Sequence, residues 1–193
     1  LNHLADYTAQ LKEIFKKYNT SGMFYAHASV GTLHIRPVLN MKSDEDIKNM
    51  RSISEESFEI VKNYKGSHSG EHGDGIVRSE FHEMMFGKKI VNAFEEIKDT
   101  FDSKNLLNPG KIVRPFKSND RDLMRYKSSY QTQNISTHYD WSNWGQFTDA
   151  VEMCNNNGAC RKLDSGVMCP SYRVTKEEKD LVRGRANTLR LAL

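Results

Sequence analysis

The sequence predicts an α+β fold, in which a small antiparallel sheet packs with amphipathic helices and is followed by a polar tether and a mostly helical tail. Two long segments, 4–18 and 43–64, repeat apolar residues every three or four positions, as amphipathic helices do. Between them lies a stretch rich in β-forming residues and broken by Gly31. Strands and helices alternate without a repeated βαβ unit, which favours α+β.

The N-terminal elements are one helix and two strands. Leu11, Ile14 and Phe15 lie on one face of the helix over 4–18, and the turn residues "NTSG" at 19–22 end it. The stretch "MFYAHASVGTLHIRPVLN" follows, and Gly31 divides it into strands over about 23–29 and 32–39.

The middle of the chain alternates helices with turns. A helix is predicted from Ser43 to about Tyr64, and a glycine-rich loop covers 66–75. Two more helical pieces, 79–86 and 88–101, are separated by Gly87, and "NPG" at 108–110 turns the chain.

The C-terminal third begins with a polar segment that shows no sustained period. We interpret it as a tether over 116–149, whose far end is anchored by the aromatic residues Trp141, Trp144 and Phe147. A short helix is expected near 145–153. The last helix should begin at Thr175, because Thr175 and Glu178 have the spacing of a capping box.

Composition excludes some classes of protein and favours a reducing compartment. The net charge is only +3, from 28 basic residues interleaved with 25 acidic ones, so nucleic acid is not an expected partner. No apolar run reaches the roughly 20 residues that span a bilayer. The three cysteines lie close together, as in a metal or cluster site of a cytoplasmic protein. Peripheral association with the inner face of a membrane is left open.

The segment "GSHSGEHGDGIVRSE" at 66–80 is the densest concentration of chemical groups in the chain. A phosphate-binding loop is disfavoured, because the segment has no GK[ST] and because Glu71 and Asp74 would repel a phosphate. A flexible linker would not require adjacent glutamate and histidine. We therefore keep open a third interpretation, in which Glu71 and His72 take part in chemistry.

Two strand histidines are candidate partners for that pair. His34 lies on one strand and His27 on the other, and the glycine turn could bring their rings together. Two imidazoles and the carboxylate of Glu71 would suit zinc, manganese or iron. His72 would then stand beside the metal as a general base. The alternative is that these histidines are ordinary structural or surface residues.

Several motifs resemble, in order, the C-terminal cap domain of FAD-linked oxidases of the vanillyl-alcohol oxidase superfamily. They are "HASVGTLHIRP", "SGEHGDGIVRSE", "MMFG", "AFEEIKDTFD" and "NLLNPGKIV". The family includes enzymes of the glycolate oxidase, D-lactate dehydrogenase and D-2-hydroxyglutarate dehydrogenase type. The resemblance covers about residues 1–115. Residues 150–193 resemble the start of a ferredoxin-like module in large FAD and iron–sulfur oxidoreductases.

The resemblance implies a role for each matching residue. The two histidines of the family's H-x(6)-H motif fall on His27 and His34, and the glutamate and histidine of its EHG motif fall on Glu71 and His72. The first three would hold a metal that orients a 2-hydroxy acid, and His72 would take the hydroxyl proton while hydride leaves for the flavin. Arg36, on the face of His34, could bind the substrate carboxylate.

Further assignments depend on the same resemblance. Thr32 replaces the asparagine of the family's G-D-G-N-L-H string and is assigned to the substrate site. Asn108 and Lys111, in the "NPGK" turn, are expected near the flavin. FAD itself would be bound mainly by a domain preceding Leu1.

The cysteines follow the pattern C-x5-C-x8-C-P, at Cys154, Cys160 and Cys169. A [4Fe–4S] cluster needs four thiolates, so these would be part of a ligand set completed further along the polypeptide. Three free thiols are an equal alternative. A structural zinc, with a water or His138 as fourth ligand, is another.

These expectations combine into one leading hypothesis. The chain would be part of an FAD-dependent enzyme that oxidises a 2-hydroxy acid to the 2-oxo acid and passes electrons through iron–sulfur centres to a downstream acceptor. Its parts would be a cap domain at 1–115, the tether and the iron–sulfur module at 150–193. A zinc-dependent hydrolase using His27, His34 and Glu71, or a non-catalytic docking module, are the alternatives.

Overall fold

The structure of the protein is a computed structural model that describes residues 2–164, 166 and 168–193. It has the predicted α+β class, with helices and one small antiparallel sheet. The chain divides into two compact units between Ser129 and Tyr130. None of the helices in the described part is both long and apolar enough to cross a membrane.

The first unit is built on a helix that buries one face against a second helix. Helix α1 (Leu4–Lys17) contributes three buried residues, Leu11, Ile14 and Phe15, which pack with Ile53 of α2 (Asp44–Asn63). Ser43 caps α2 by accepting a hydrogen bond from the N–H of Asp46. The periodicity in the sequence therefore predicted both helices with the correct buried faces.

A β-hairpin lies between these helices. Strand β1 (Gly22–His27) pairs antiparallel with β2 (Thr32–Pro37), and Phe24 and Ile35 pack against the helical core. The connection is a 3₁₀ turn at 28–30 followed by Gly31, whose φ of 69° is left-handed and costs a glycine little. Both predicted strands are confirmed, and each ends two residues earlier than expected.

The helices after the glycine loop differ in part from the prediction. The expected single helix over 79–86 is wrong: α3 (Gly75–Ser79) starts earlier, and α4 (His82–Phe86) follows a break. At the break, Ser79 uses its hydroxyl to bind the Gly75 carbonyl and also accepts the N–H of Ile112. Such local side-chain bonds to backbone bend or end helices. Helix α5 (Lys88–Phe101) matches the prediction.

The start of the predicted tether is fastened to the first unit. Glu80 accepts hydrogen bonds from Arg51, at 2.9 Å, and from the N–H of Ser118, at 2.7 Å. Arg121 donates to the carbonyls of Met41 and Lys42, at 2.8 and 3.2 Å. The role of 116–149 as a connection between domains remains a prediction.

The α-helices in the described residues of the second unit are α6 (Phe147–Glu152), α7 (Pro170–Thr175) and α8 (Val182–Ala192). The predicted start of the last helix at Thr175 is wrong, because Thr175 instead ends α7. That helix begins at Pro170, whose fixed φ suits a first helical position, and it stops where Lys176 adopts a left-handed conformation. The rings of Trp141 and Phe147 pack 5.3 Å apart, as expected.

Candidate functional site

The hairpin places two histidines on one face of the sheet. In the register of the strands, His27 lies opposite Thr32, and His34 lies opposite Tyr25. Residues two apart along each strand share a face, so His27 and His34 are diagonal neighbours. The two histidines therefore lie together across the turn at Gly31, as the sequence predicted.

The glycine loop brings Glu71 to these two histidines. One carboxylate oxygen, Oε2, lies 2.6 Å from His27 Nε2, and the other, Oε1, lies 3.5 Å from His34 Nδ1. His72 also faces this carboxylate, with Nε2 3.0 Å from Oε1. Glu71 thus stands at the centre of three imidazoles, which we call the Glu71 centre.

Glu71 is held in its charged form. Burial acts to raise the pKa of Glu71, but the charges and hydrogen bonds of His27, His34 and His72 together lower it below its usual value. The side chains of His27 and His72 are more than 60% exposed, so the centre is open to small molecules from solvent. The result is an accessible anionic oxygen ligand among nitrogen ligands.

The composition of the Glu71 centre fits a divalent metal. One ligand atom each from His34, Glu71 and His72 lies within 4.8 Å of the others, and His27 contacts the second carboxylate oxygen. Imidazole nitrogen and carboxylate oxygen are the donors that zinc and manganese accept. The three ligand atoms that lie within 4.8 Å of one another belong to His34, Glu71 and His72, and the predicted set of His27, His34 and Glu71 stays a prediction.

Arg36 and Thr32 both border the Glu71 centre. Arg36 donates from Nε to His34 Nε2 at 2.9 Å, and its guanidinium lies 5.6 Å from the centre of the Tyr25 ring. Thr32 begins β2 and contacts the glycine loop at Gly70, where a methyl group would meet its Cγ2 atom at 2.6 Å. Both residues assigned to the substrate site therefore lie beside the histidines.

A cavity of about 520 Å³ adjoins the glycine loop. Its walls are largely apolar and include Phe94, Ile97 and Leu107, and they also include Asn108 and Lys111. The lining begins at Gly73, the residue after His72. The two residues expected near a flavin thus share one cavity wall.

Sequence reasoning missed a second group, made of His68, Asp74 and His82. One ligand atom of each lies within 4.8 Å of the others, and both histidines are buried. Helical spacing gave no signal for this group, because Asp74 precedes α3 and His82 begins α4 after the break. His68 could not be added to this pair from spacing alone.

The three cysteines lie in the second unit, and none of them forms a disulfide within the described residues. Cys169 is buried with Tyr172 and Leu181, and Cys160 packs against this cluster. Cys154 lies near the Asn156 side chain, with Sγ 3.7 Å from Oδ1. The chain holds three of the four thiolates that a [4Fe–4S] cluster needs, so its own residues do not complete one.

Comparison with known proteins assigns the first part of the chain to a class. Residues 1–112 match the family described as "FAD linked oxidases, C-terminal domain", and the chain belongs to that family. The matched range contains the Glu71 centre and all but one lining residue of the adjoining cavity.

The curated relatives include larger enzymes. The D-2-hydroxyglutarate dehydrogenase of Pseudomonas putida is 35% identical over 188 residues, which are 97% of this chain and 18% of the relative. That of Escherichia coli is 32% identical over 194 residues, with the same shares. Glycolate oxidase subunit GlcD of Bacillus subtilis is 29% identical over 111 residues, 58% of this chain and 24% of the relative.

The chain spans about a fifth of the length of these D-2-hydroxyglutarate dehydrogenases. Their match extends through the second unit, whereas the match to the glycolate oxidase subunit covers little more than half of the chain. No solved structure matches this chain.

Proposed function

We propose that this chain forms the substrate-facing cap of an FAD-dependent enzyme that oxidises a D-2-hydroxy acid, of the D-2-hydroxyglutarate class, to the 2-oxo acid. The observation that carries the proposal is the convergence of His27, His34 and His72 on the carboxylate of Glu71. Membership of the FAD-linked oxidase family and the names of the relatives support it. The FAD-binding part would belong to the same polypeptide.

His27, His34 and Glu71 would hold a divalent metal such as zinc or manganese. A bound metal supplies a positive charge that orients the substrate hydroxyl and carboxylate. The protein contributes the ligands, and it keeps Glu71 ionised through the surrounding imidazoles. It also keeps the centre open, since the side chain of His27 is 65% exposed.

His72 would act as the general base. Its Nε2 faces the centre at 3.0 Å from Glu71 Oε1, and most of its side chain is accessible to an incoming molecule. In the oxidation, the hydroxyl proton moves to His72, and the hydrogen at the α-carbon leaves with its electron pair. Bound FAD supplies the acceptor for that hydride. Removal of a positioned base costs about 10²–10⁴-fold in rate.

Arg36 would recognise the substrate carboxylate. Its guanidinium now donates to the neutral ring nitrogen of His34. A carboxylate is a stronger acceptor than the imidazole, because its negative charge attracts the guanidinium and its two oxygens can accept from two guanidinium nitrogens at once. When substrate binds, the Arg36 guanidinium would therefore leave His34 and donate to the substrate carboxylate. Nε2 of His34 would then lose its donor. Thr32 would offer its hydroxyl from the adjacent position.

The 520 Å³ cavity would receive part of the flavin. Its mostly apolar lining with a few polar groups has the character of a cofactor site. Asn108 and Lys111 would contact the polar edge of the flavin ring system. The turn that carries Asn108 and Lys111 is held in place by the backbone of Ile112. The N–H of Ile112 donates to the Ser79 hydroxyl, and the carbonyl of Ile112 contacts Nδ1 of His82.

The second unit would be the start of an iron–sulfur module. Its overlap with the long relatives supports a shared architecture. Because Cys154, Cys160 and Cys169 do not complete a cluster, we derive no electron-transfer step through this chain. Transfer of electrons to a further acceptor stays a prediction. The end of the cap domain at 115 and the start of the iron–sulfur module at 150 also stay predictions.

The proposal is tested by anaerobic flavin reduction and metal analysis of the holoenzyme. Glu71→Gln should lose the metal and reduce flavin at least about 10²-fold more slowly with D-2-hydroxyglutarate. Glu13→Gln is the control, since the Glu13 side chain is exposed and pairs with the exposed Lys16. Wild-type reduction in Glu71→Gln would contradict the proposal. Chelator-sensitive hydrolysis without flavin would favour the zinc hydrolase, and wild-type biological function of the variant would favour the docking module.

A further inference from the structure

The buried group of His68, Asp74 and His82 is separate from the Glu71 centre and takes no part in the proposed reaction. His82 is 2% exposed and His68 8% exposed, while the side chain of Asp74 is 22% exposed. One ligand atom from each residue lies within 4.8 Å of the other two. Buried polar atoms normally have hydrogen-bond partners, so a buried ring nitrogen that lacks one indicates space for a ligand.

His82 is held between two acceptors. Its Nδ1 lies 3.2 Å from the carbonyl oxygen of Ile112, and its Nε2 lies 2.7 Å from Asp74 Oδ2. The carbonyl can only accept, so Nδ1 carries a proton. In the neutral ring, Nε2 then presents a lone pair to a carboxylate oxygen. The two atoms can share a proton, as in an imidazolium–carboxylate pair, or they can both bind one metal ion placed beside them.

His68 has no hydrogen-bond partner on either ring nitrogen, although both atoms are buried. A hydrogen bond to the backbone of Arg78 acts to raise the pKa of His68, but its geometry lies outside that of a normal hydrogen bond. Burial nevertheless lowers the pKa of His68, and the effect of Asp74 in the opposite direction does not overcome it. His68 is therefore a neutral imidazole with a lone pair available inside the protein.

We propose that His68, Asp74 and His82 form a second divalent-metal site, specific for an ion of the zinc class. Two imidazoles and one carboxylate are a donor set that zinc accepts. The bond from His82 Nδ1 to the Ile112 carbonyl is the backbone contact that orients metal-binding histidines. The ion would bind His82 Nε2 and Asp74 Oδ2 together and would give His68 its partner.

The site would have a structural role. His68 and Asp74 lie in the glycine loop on either side of Glu71 and His72, and His82 belongs to α4. A metal bound to all three would tie both ends of the loop to one helix. Asp74 also lines the 520 Å³ cavity, which leaves room for a water as fourth ligand.

The alternative is a proton in place of the metal. His82 would then be a charged imidazolium paired with Asp74, and His68 would be an unpartnered neutral ring packed 5.2 Å from Phe58 and 5.8 Å from Phe86. The two cases differ in how the protein responds to replacement of His68 by phenylalanine. Phenylalanine keeps an aromatic ring among these neighbours but cannot bind a metal.

The test compares tightly bound zinc in the full-length protein and its variants after dialysis. All proteins carry Glu71→Gln, so that the Glu71 centre does not contribute. We expect His68→Phe to lower the zinc content by one equivalent per chain, and the exposed His3→Phe control to leave it unchanged. A chelator should lower the melting temperature of the parent but not of His68→Phe.

The proposal would be overturned if the parent and His68→Phe bound equal zinc and the variant had the higher melting temperature. That result would favour a proton shared by His82 and Asp74. If His68→Phe fails to fold, Asp74→Asn gives the same comparison, because it keeps the shape of the side chain and removes its charge. Loss of one equivalent in Asp74→Asn supports the metal, and no loss overturns it. Because Glu71 is already replaced, failure here is distinct from failure of the proposed function.

Discussion

A single methyl group at Gly70 should displace the Glu71 centre. Gly70 precedes Glu71 and lies against Thr32 at the start of β2. A Cβ atom at this position would meet Thr32 Cγ2 at 2.6 Å and Oγ1 at 3.1 Å. The backbone of Gly70 is outside the left-handed region, so Gly70→Ala acts through this contact alone.

The size of the effect follows from the contact. Ordinary contact begins near 3.4 Å, so the loop must move by at least about 0.8 Å away from the strand. His27 is on the partner strand and His34 is on β2, so Glu71 would move away from both. A displacement near 1 Å costs about 10²-fold in rate, and a comparable disturbance of ligand support costs roughly 10–100-fold in metal affinity.

The assay is zinc affinity and anaerobic flavin reduction of the holoenzyme, with Gly73→Ala as the matched control. Gly73 is in the same loop, and a Cβ atom there meets nothing within 4 Å. Because Gly73 also lines the cavity proposed for the flavin, this control serves for zinc affinity, and the rate of flavin reduction is compared with wild type. Adding Thr32→Ser to Gly70→Ala removes the Cγ2 atom and should restore much of the lost affinity. Unchanged affinity and rate in Gly70→Ala would refute the idea that contact with β2 positions Glu71.

Two further predictions concern the stability of the first unit. Leu11→Ala should lower the free energy of unfolding by roughly 2–5 kcal/mol, measured with denaturant, because Leu11 is fully buried; a loss below 1 kcal/mol would contradict this packing. Hydrogen bonds from Lys98 and from the N–H groups of Leu106 and Leu107 lower the pKa of Asp102 to about 2. The ionised Asp102 carboxylate thus stabilises the fold above about pH 4, and this stabilisation is lost as pH falls through 2. Asp102→Asn should therefore have a lower free energy of unfolding than wild type at pH 7, and the difference should vanish near pH 2. A constant difference between these pH values would refute that assignment.

Local patterns predicted the elements that carry the candidate site. The alternation of side chains along β1 and β2, with a left-handed glycine between them, determines that His27 and His34 share a face. The period of apolar residues likewise marked the buried faces of α1 and α2. These features depend on neighbours close in sequence, so the sequence alone shows them.

Features that depend on distant contacts were missed. The break before His82 arises because Ser79 binds the N–H of Ile112, 33 residues away. The pairing of His82 with the carbonyl of Ile112 has the same origin. At Thr175 the spacing of a capping box was present, but Pro170 had already started a helix that ends there. Spacing cannot decide between such competing local signals.

The most direct test of the account is rapid mixing of the holoenzyme with D-2-hydroxyglutarate under anaerobic conditions. We expect flavin reduction in His72→Asn to be about 10²–10⁴-fold slower than in wild type, with the metal content unchanged. Reduction of the flavin at the wild-type rate in this variant would contradict the assignment of His72 as the base that receives the hydroxyl proton.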